Sequence, residues 1–407
     1  MATAAAPNWF CAQLGAREHY AIPRTLHQSK RLAVLYTDFW AKPAVQKIAR
    51  GGLRPLAERF HPGLAGAEIA SWNFRSLSWE IGMRLRSRGE HPAGKYLDFI
   101  EVGRKFASAV REAMKRDTNR LSNAVFFAYD TAALETLEFL RELKVKCIVD
   151  QMDPSRVEAA LVAEEEKHWP GWALRPIHVP EEYFRRRERE WSLANRIVVN
   201  SEFSRQALIR QGVPAEKLAV IPLCYEADSP AKENCREIVP RPLKILFLGQ
   251  VILRKGIQYL MEAAKLLREE PVRIDVVGPI GITADAIKSA PPNLTFHGRV
   301  NRDEAAHWYR QSDLFALPTL SDGFALTQLE AMTHGLPVVA TPNCGDVVAD
   351  GVDGFIVPPR DPDTLAKVIM RYIENRELLV AHRASARTKA GQFTLSKLAG
   401  KLITLET

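Results

Sequence analysis

The fold is decided by one stretch of the sequence, Ser321-Asp322-Gly323-Phe324-Ala325-Leu326-Thr327-Gln328-Leu329-Glu330-Ala331-Met332. An apolar run at residues 313–318 precedes it and predicts a buried strand, and from Thr327 the chain continues without a helix breaker as far as Gly335. Residues 322–323 are therefore predicted to form a turn at the carboxyl end of a strand, immediately before a helix. In open α/β sheets, ligands bind at this edge.

The chemistry of this stretch comes from two carboxylates and from unpaired backbone amides. Asp322 and Glu330 lie eight residues apart, so one can face a ligand from the loop and the other from about the first turn of the helix. Amides at a helix N-terminus carry the positive end of the helix dipole and suit hydroxyl oxygens or phosphate. The alternative is a capped turn in which Asp322 is only structural, and the spacing alone favours that alternative.

Length and composition indicate a globular protein with two domains. A chain of 407 residues is longer than one core usually supports, and 46% hydrophobic with 26% charged residues is ordinary for such a protein. No apolar run approaches the roughly twenty residues that span a bilayer, and the first residues lack the segments of a signal peptide. Five scattered cysteines fit reduced thiols better than disulfides or a zinc site. These features predict a cytoplasmic protein.

The net charge of +8 predicts acidic partners, such as nucleotide phosphates or anionic lipid. No zinc-finger, RRM or helix-turn-helix pattern accompanies the charge, so nucleic acid is not expected. Residues 42–120 are basic and are predicted to be mostly helical, with a dense basic run at residues 84–88. This region predicts weak peripheral contact with an anionic membrane, at its inner face, although a solvated helix face is the better explanation for most of these side chains.

The second half of the chain alternates strand and helix patterns. Residues 244–249 predict a strand, and Arg254 and Lys255 follow in the loop before an amphipathic helix. Exposed cations at a helix start oppose the helix dipole unless an anion is bound, so we expect an anionic ligand here. Further strands are predicted at residues 273–279 and 293–300.

The first half opens like a Rossmann unit. Residues 8–13 predict a short strand, and a glycine turn at Gly15 leads into a helix. This is a weak nucleotide fingerprint, because a second and third glycine are missing. Two nearby residues, Arg17 and His19, have two possible roles that the sequence supports about equally: they are solvated loop residues, or they contact a ligand. Further strands are predicted at residues 31–38, 124–130, 146–153 and 196–201, and helices at residues 134–143 and 181–195.

Residues 243–359 resemble the donor-binding domain of family 4 glycosyltransferases, and the passage Ala-Asn-Arg-Ile-Val-Val-Asn-Ser at residues 194–201 extends the resemblance into the first half. The family signature is Glu-x7-Glu in a Glu-Gly-Phe-Gly-Leu loop. It stands here as Asp322-x7-Glu330 in Asp-Gly-Phe-Ala-Leu, with Asp322 for the first Glu and Ala325 for a Gly. The resemblance implies an α/β protein of the GT-B fold, in which two Rossmann-like domains face each other across a cleft.

The resemblance and the linker composition together predict four segments. They are an N-terminal Rossmann-like acceptor domain at residues 1–227, a linker with three prolines at residues 228–242, a Rossmann-like nucleotide-sugar donor domain at residues 243–390, and a C-terminal helix at residues 391–407 that crosses back to the first domain.

The resemblance also implies roles for individual residues. Asp322, Lys255 and Arg254 are the predicted catalytic residues: Asp322 contacts the sugar, and the two cations neutralise the diphosphate. The amides of residues 324–326 serve sugar hydroxyls or phosphate, Glu330 holds the ribose, and the backbone near residues 299–300 holds the nucleobase. The complete predicted donor-binding set is Gly15, Gly249, Gln250, Arg299, Val300, Gly323, Phe324, Ala325, Leu326 and Glu330.

Two departures leave parts of the site open. Gln250 stands where the family more often has Arg, so reliance on Arg254 is expected instead. Many family members carry a histidine at a strand end of the first domain, pointing into the cleft. Here the acceptor-side group stays unassigned, because the strand ends offer Tyr129, Asp130, Asp150 and Asp153.

The resulting prediction is a retaining glycosyltransferase that moves a sugar from a nucleotide-diphosphate sugar to a glycan, lipid or small-molecule acceptor. It needs no cofactor and no metal, and the reaction is front-face. The sequence leaves UDP and GDP open as the donor nucleotide. Two other classes stay in view: a GT-B sugar-nucleotide epimerase, and a catalytically silent sugar-nucleotide binder, which the Asp322 and Gln250 departures keep open.

Overall fold

Two parallel β-sheets organise the protein, whose computed structural model describes residues 6–41, 59–73, 93–226 and 241–406. The predicted α/β class with two Rossmann-like halves is confirmed. The predicted linker at residues 228–242 lies almost entirely outside the described residues, and so does the basic run at residues 84–88.

The first sheet has the strand order β3-β2-β1-β4-β5-β6-β7, and all its pairings are parallel. Its strands lie within two residues of their predicted limits where they were predicted. They are β1 Asn8–Gln13, β2 Leu32–Thr37, β3 Ile69–Ser71, β4 Ala124–Tyr129, β5 Lys146–Gln151, β6 Arg196–Val199 and β7 Leu218–Val220.

Both faces of the first sheet are buried. Phe10 and Phe126 belong to the core on one face, whereas Trp9 and Phe127 belong to the core on the other. Every residue of β4 is buried. A parallel strand covered on both sides needs apolar residues at every position, which explains why these strands are recognisable as continuous apolar runs.

The second sheet has the strand order β10-β9-β8-β11-β12-β13, again with all pairings parallel. In both sheets the order therefore reverses beside the first strand of the domain. Connections on the two sides of that point diverge, which opens a crevice at the carboxyl edge. The strands are β8 Leu243–Leu248, β9 Val272–Val277, β10 Leu294–Gly298, β11 Leu314–Leu317, β12 Val338–Ala340 and β13 Gly354–Ile356.

Helices connect the strands. None of the helices in the described residues is both long and apolar enough to cross a bilayer. The helices are α1 Ala21–Gln28, α2 Gly94–Lys115, α3 Leu134–Glu142, α4 Arg156–His168, α5 Glu181–Leu193, α6 Glu202–Arg210, α7 Ile257–Leu266, α8 Ala284–Lys288, α9 Arg302–Gln311, α10 Leu326–Thr333, α11 Pro362–Glu374, α12 Arg376–Ala390 and α13 Leu395–Ile403.

The stretch at residues 42–120 is only partly helical where it is described. It contains α2, but it also contains β3, an edge strand of three residues that pairs with β2. The residues of β3 are half-buried or exposed, so they give no apolar run from which a strand could be predicted.

The last helix, α13, packs against the first domain. Its residues Leu398 and Leu402 lie in the same core as Trp9 and Leu26. Beyond the helix, Glu406 accepts a hydrogen bond from the indole Nε1 of Trp9 at 2.8 Å. Residues 395–406 therefore pack on the domain that contains β1.

Helix α4 of the first domain contacts the second domain through a buried carboxylate. Glu165 is fully buried and accepts hydrogen bonds from Gln258 Nε2 at 2.9 Å and from the Tyr259 hydroxyl at 2.8 Å. Its other oxygen accepts from Arg360 Nε at 2.5 Å. Because a buried carboxylate needs such partners, this contact fixes α4 against the second domain.

The attachment of α13 is testable by truncating one of its buried side chains. Leu402→Ala removes a fully buried side chain, so we expect a loss of about 2–5 kcal/mol in the free energy of unfolding. Lys401→Ala, at the exposed neighbouring position, is the matched control and should change stability by less than about 0.5 kcal/mol. Chemical denaturation measures both, and equal effects would contradict the docking of α13.

Candidate active site

The candidate site lies at the carboxyl edge of the second sheet, where two strand-to-helix connections meet. The first joins β8 to α7 and contains a short 3-10 turn, Leu253–Lys255. The second joins β11 to α10 and contains Asp322. Since β8 and β11 are neighbours, the two connections leave adjacent strand ends. The predicted turn between a strand and a helix at Asp322 is confirmed.

Glycine at position 256 allows the first connection to pack against the second. Gly256 has a φ of +75°, and a Cβ there would lie 1.8 Å from the carbonyl oxygen of Pro318. Glycine, which has no side chain, tolerates both the positive φ angle and the close approach of the carbonyl oxygen. This packing brings Lys255 beside Asp322, whose Oδ2 accepts a hydrogen bond from the Lys255 ammonium group.

The Lys255–Asp322 ion pair is largely buried, with side chains that are 13% and 15% exposed. Lys255 is therefore not the exposed side chain that its position before a helix suggests. A buried charge without a partner costs several kcal/mol, and here carboxylates of the protein itself provide the negative charge.

Arg254 connects the two domains. Its Nη1 donates to the Ser321 carbonyl at 2.8 Å and to Glu158 Oε2, on α4 of the first domain, at 3.2 Å. The same guanidinium nitrogen lies 3.9 Å from Asp322 Oδ1. Of the predicted catalytic residues, the structure thus brings Arg254, Lys255 and Asp322 together, and it adds a fourth charged group that sequence reasoning missed.

Glu158 is that missed group. Its Oε2 also accepts a hydrogen bond from the Ser321 hydroxyl at 2.9 Å. Burial raises the pKa of Glu158 to about 7; the Arg254 guanidinium opposes this rise, whereas the nearby Asp153 and Asp322 carboxylates reinforce it. No local signal marks this residue, because it reaches the site from the other domain.

The first domain also packs against this loop at Gly323. A Cβ at position 323 would lie 2.1 Å from the Met152 carbonyl oxygen and 3.0 Å from Asn200 Oδ1. Met152 follows β5 and Asn200 follows β6, so the loop touches the carboxyl edge of the first sheet. The glycine is therefore required by contact between domains, in addition to its predicted place in a turn.

The backbone amides of the loop are only partly available to a ligand. Asp322 N–H donates to the Asn343 carbonyl at 2.9 Å, and Ala325 N–H donates to the Cys344 carbonyl at 3.1 Å. The Ala325 amide is therefore satisfied inside the protein, and its predicted use by a ligand stays a prediction. A ligand would draw instead on the amides of Phe324 and Leu326, next to the start of α10.

Glu330 lies in the second turn of α10, slightly later than predicted. Its Oε2 accepts a hydrogen bond from the Tyr309 hydroxyl at 2.8 Å. Burial raises the pKa of Glu330 above its usual value, and the Tyr309 hydroxyl partly offsets this. Tyr309 comes from α9 and was not foreseen, because nothing in its own sequence context links it to the signature.

The remaining donor-site candidates of the second domain lie on neighbouring strand ends. Gly249 follows β8, and its N–H donates to the Val277 carbonyl at 3.0 Å. Gln250 and Arg299 are exposed, whereas Val300 is half-buried and packs against the second core. Because β8, β9 and β10 are neighbours in one parallel sheet, these residues border the same edge of that sheet.

Gly15 belongs to the first domain and lies apart from this set. It follows β1 with a φ of +79°, and its N–H donates to Asp38 Oδ1 at 2.9 Å. Asp38 in turn accepts from Arg59 Nη1 at 2.8 Å. This loop is therefore fixed to the carboxyl edge of the first sheet, on the opposite side of the cleft from Asp322.

Four polar side chains lie at the strand ends of the first domain, and one buried arginine contacts two of them. Arg187, on α5, donates from Nε to Asp130 Oδ2 and from Nη2 to Asp153 Oδ2, each at 2.7 Å. Asp130 and Asp153 are thus both paired with a cation within the protein. Tyr129 and Asp150, the other two strand-end candidates, are not contacted by Arg187 in this way.

Within the described ranges, no group of three or more His, Cys, Asp or Glu side chains is placed to hold a metal ion. Within the described residues, the cations that lie beside Asp322 are Lys255 and Arg254.

Comparison with known proteins identifies relatives of the second domain. Residues 242–375 match the family of glycosyl transferases group 1. D-inositol 3-phosphate glycosyltransferase of Xylanimonas cellulosilytica is 28% identical over 257 residues, which are 57% of this chain and 61% of that protein. Amylovoran biosynthesis glycosyltransferase AmsK of Erwinia amylovora is 26% identical over 230 residues, 52% of this chain and 56% of that protein. The matches therefore span less than two thirds of these relatives.

Solved structures resemble the whole chain. HepE of Anabaena, crystallised in complex with UDP, superposes with a TM-score of 0.63 at 16% identity and covers 98% of this chain and 99% of its own. Sucrose-phosphate synthase of Thermosynechococcus elongatus gives a TM-score of 0.60 at 15% identity, with 98% of each chain covered. At this identity the likeness concerns the fold. The chain has the two-domain GT-B architecture, and residues 242–375 carry the sequence pattern of group 1 glycosyl transferases.

Proposed function

We propose that this protein is a retaining glycosyltransferase that transfers a sugar from a nucleotide-diphosphate sugar, with UDP-sugars the first donors to test. The observation that carries the proposal is the Lys255–Asp322 pair, at the carboxyl edge of the second sheet and beside the N-terminus of α10. The match of residues 242–375 to group 1 glycosyl transferases supports the proposal. It is further supported by fold relatives crystallised with UDP or UDP-glucose.

The diphosphate would bind where Lys255 and Arg254 now hold carboxylates. A diphosphate carries more negative charge than one carboxylate, so it can replace Asp322 at the Lys255 ammonium group. To recruit Arg254 as well, it has to compete with Glu158, which accepts from Arg254 Nη1. The amides of Phe324 and Leu326 add donors that need no side-chain rearrangement.

The nucleoside would bind beside Glu330. Tyr309 donates to its Oε2, which leaves Oε1 to accept hydrogen bonds from ribose hydroxyls. The backbone near Arg299 and Val300 would hold the nucleobase, at the end of β10. In this arrangement Gly249 and Gln250 border the phosphates and Gly15 borders the sugar from the first domain.

The reaction would be front-face. The bond between the anomeric carbon and the diphosphate oxygen breaks, the acceptor oxygen bonds to the anomeric carbon from the same side, and the acceptor proton passes to the leaving phosphate. Asp322 stabilises the positive charge that develops on the sugar, and Lys255 stabilises the negative charge that develops on the leaving group. This division of charge needs no metal ion.

Weak contact with anionic membranes stays a separate proposal, because it rests only on the net charge of +8 and on the basic residues of the stretch at residues 42–120. Equal sedimentation with neutral and anionic liposomes at low salt would refute it.

The proposed function is tested by incubating the protein with radiolabelled UDP-, GDP- and ADP-sugars, with and without EDTA. We expect hydrolysis or transfer with one nucleotide, retention of the anomeric configuration, and the same rate in EDTA. An isomerised sugar would indicate an epimerase, and binding without turnover would indicate a silent binder. Strict dependence on added magnesium or manganese would contradict the role given to Lys255 and Arg254.

Lys255→Ala tests the cation at the leaving group. Removal of one preorganised group that stabilises developing charge costs about 100-fold or more in turnover, so we expect a loss of at least that size. Lys265→Ala, exposed on α7, is the matched control and should keep wild-type turnover. Because Lys255 also neutralises buried Asp322, thermal unfolding is measured in parallel. Turnover within twofold of wild type would exclude Lys255 from the reaction.

The two signature carboxylates are expected to differ in what they control. Asp322→Asn should lower turnover at least tenfold, since a charge-assisted hydrogen bond is worth about 1.5–3 kcal/mol. It should leave UDP affinity unchanged or tighter, because Lys255 loses its competing carboxylate. Glu330→Gln should instead weaken UDP binding first.

Donor titrations with turnover at saturation, and calorimetric UDP binding, separate these effects. Asp363→Asn, at an exposed position on α11, is the control and should change neither quantity. If Asp322→Asn keeps near-normal turnover, Asp322 is only a turn residue.

A further inference from the structure

Helix α4 of the first domain holds a carboxylate against one of the cations that are proposed to bind the diphosphate. Glu158 accepts a hydrogen bond from Arg254 Nη1 at 3.2 Å and another from the Ser321 hydroxyl at 2.9 Å. The Glu158 and Arg254 side chains are 20% and 19% exposed, so each keeps contact with solvent. A diphosphate that binds Arg254 would therefore enter directly beside the Glu158 carboxylate.

Glu158 has little freedom to move away, because α4 is attached to the second domain at later positions. Glu165, on the same helix, is fully buried and accepts hydrogen bonds from two side chains of α7. Beyond the helix, residues 172–174 form an antiparallel bridge with residues 281–283 of the second domain. These contacts keep α4, and Glu158 with it, at the donor side of the cleft.

Charged and titratable groups from several elements face Glu158. They are Arg254 on the turn before α7, Asp322 on the loop before α10, Asp153 after β5, and Tyr96 on α2. Burial and the Glu158 carboxylate raise the pKa of Tyr96, so its phenol is neutral near pH 7. Arg254 is thus the cation among these four groups, and the two carboxylates disfavour a negative charge on Glu158.

The protonation of Glu158 depends on the balance of these charges. Burial raises the pKa of Glu158 to about 7, with the Arg254 guanidinium opposing the rise and the Asp153 and Asp322 carboxylates reinforcing it. A diphosphate at Arg254 would withdraw the opposing cation and would add negative charge beside the carboxylate. Both changes favour the protonated form, so the pKa of Glu158 would rise further on binding.

We propose that Glu158 is a proton-linked competitor for Arg254: it holds the guanidinium in the unliganded protein and takes up a proton from solvent when a nucleotide-sugar diphosphate binds. The inference rests on the proposed function and adds a regulation of its donor site. In the exchange, the hydrogen bond from Arg254 to Glu158 Oε2 breaks, the guanidinium donates to a phosphate oxygen, and the proton adds to the Glu158 carboxylate. The neutral carboxyl group can then donate a hydrogen bond to the phosphate.

The proposal determines the direction of the pH dependence. Above pH 7 the ionised Glu158 holds Arg254, and binding has to take up a proton, so donor affinity falls as the pH rises through about 7. Below pH 7 the carboxyl group is already protonated, and binding takes up almost none. Since the protonated form is the one that binds, its decrease from about nine tenths near pH 6 to about one tenth near pH 8 should weaken Kd about tenfold.

A second glutamate on α4 provides the matched control. Glu164 also crosses between the domains, and its Oε2 accepts a hydrogen bond from Arg360 Nη2 at 2.7 Å. The hydrogen bond from Arg360 lowers the pKa of Glu164, so this carboxylate is ionised near pH 7. Glu164→Gln therefore removes an ion pair of the same kind between the same domains, while the competitor of Arg254 stays in place.

The proton is measured by calorimetry. UDP-glucose, GDP-mannose and ADP-glucose are titrated into the protein without acceptor, in buffers of different ionisation enthalpy, because the difference in heat gives the protons taken up. These nucleotide sugars have no terminal phosphate to titrate. We expect uptake approaching one proton at about pH 8 and almost none at about pH 6. Absence of binding to all three would overturn the proposed function, whereas binding without proton uptake at the higher pH would overturn this inference alone.

Glu158→Gln replaces the competitor by an uncharged group of the same shape. We expect it to bind the nucleotide sugar over the whole pH range with the affinity of the wild type at about pH 6, and without proton uptake. Glu164→Gln should retain both the tenfold pH dependence and the uptake. Wild-type pH dependence in Glu158→Gln, with a normal thermal unfolding transition, would overturn the assignment.

Ser321→Ala tests the same titration while Glu158 is kept. The Ser321 hydroxyl donates a hydrogen bond that lowers the pKa of Glu158. Its removal should therefore move the onset of weaker binding to higher pH. This variant decides the question if Glu158→Gln does not fold, and an onset that stays at the wild-type pH would overturn the role of Glu158.

Discussion

Neutralisation of two buried cations on one turn is the constraint on which the cleft depends. Arg254 and Lys255 are adjacent, and both side chains are largely buried. Glu158 of the first domain and Asp322 of the second provide the opposite charges. Since a buried ion without its partner costs several kcal/mol, the turn before α7 holds the loop that carries Asp322 on one side and helix α4 on the other. Gly256 removes the side chain that would prevent this approach.

In this structure carboxylates of the protein itself neutralise the site, so binding of an anion would be an exchange of anions. A diphosphate, as proposed above, would take the place of carboxylates that already satisfy Lys255 and Arg254. The gain in free energy would be the difference between two sets of ion pairs, and it would be smaller than the interaction with unpaired cations. Because Glu158 belongs to the other domain, the same exchange would also alter a contact between domains.

The sequence was sufficient to predict the features that depend only on residues close together along the chain. Buried parallel strands are continuous apolar runs, and the turn at Asp322 is marked by a strand before it and a helix after it. Glu158 and Tyr309 could not be predicted, because each reaches the site from an element distant in sequence. The burial of Lys255 was missed for the same reason. A lysine before a helix is expected to be exposed, and its burial can be predicted only when the position of its carboxylate partner is known. Strand β3 was missed because an edge strand needs no apolar run.

The two sheets have equivalent strand orders but different chemistry at their carboxyl edges. The edge of the second sheet presents Lys255 and Arg254, which suit the charge of a diphosphate. At the edge of the first sheet, the buried cation Arg187 is already paired with Asp130 and Asp153. The two edges therefore differ in the charge that they would offer to a ligand, because Arg187 is paired within its own domain, whereas Arg254 pairs with Glu158 of the other domain.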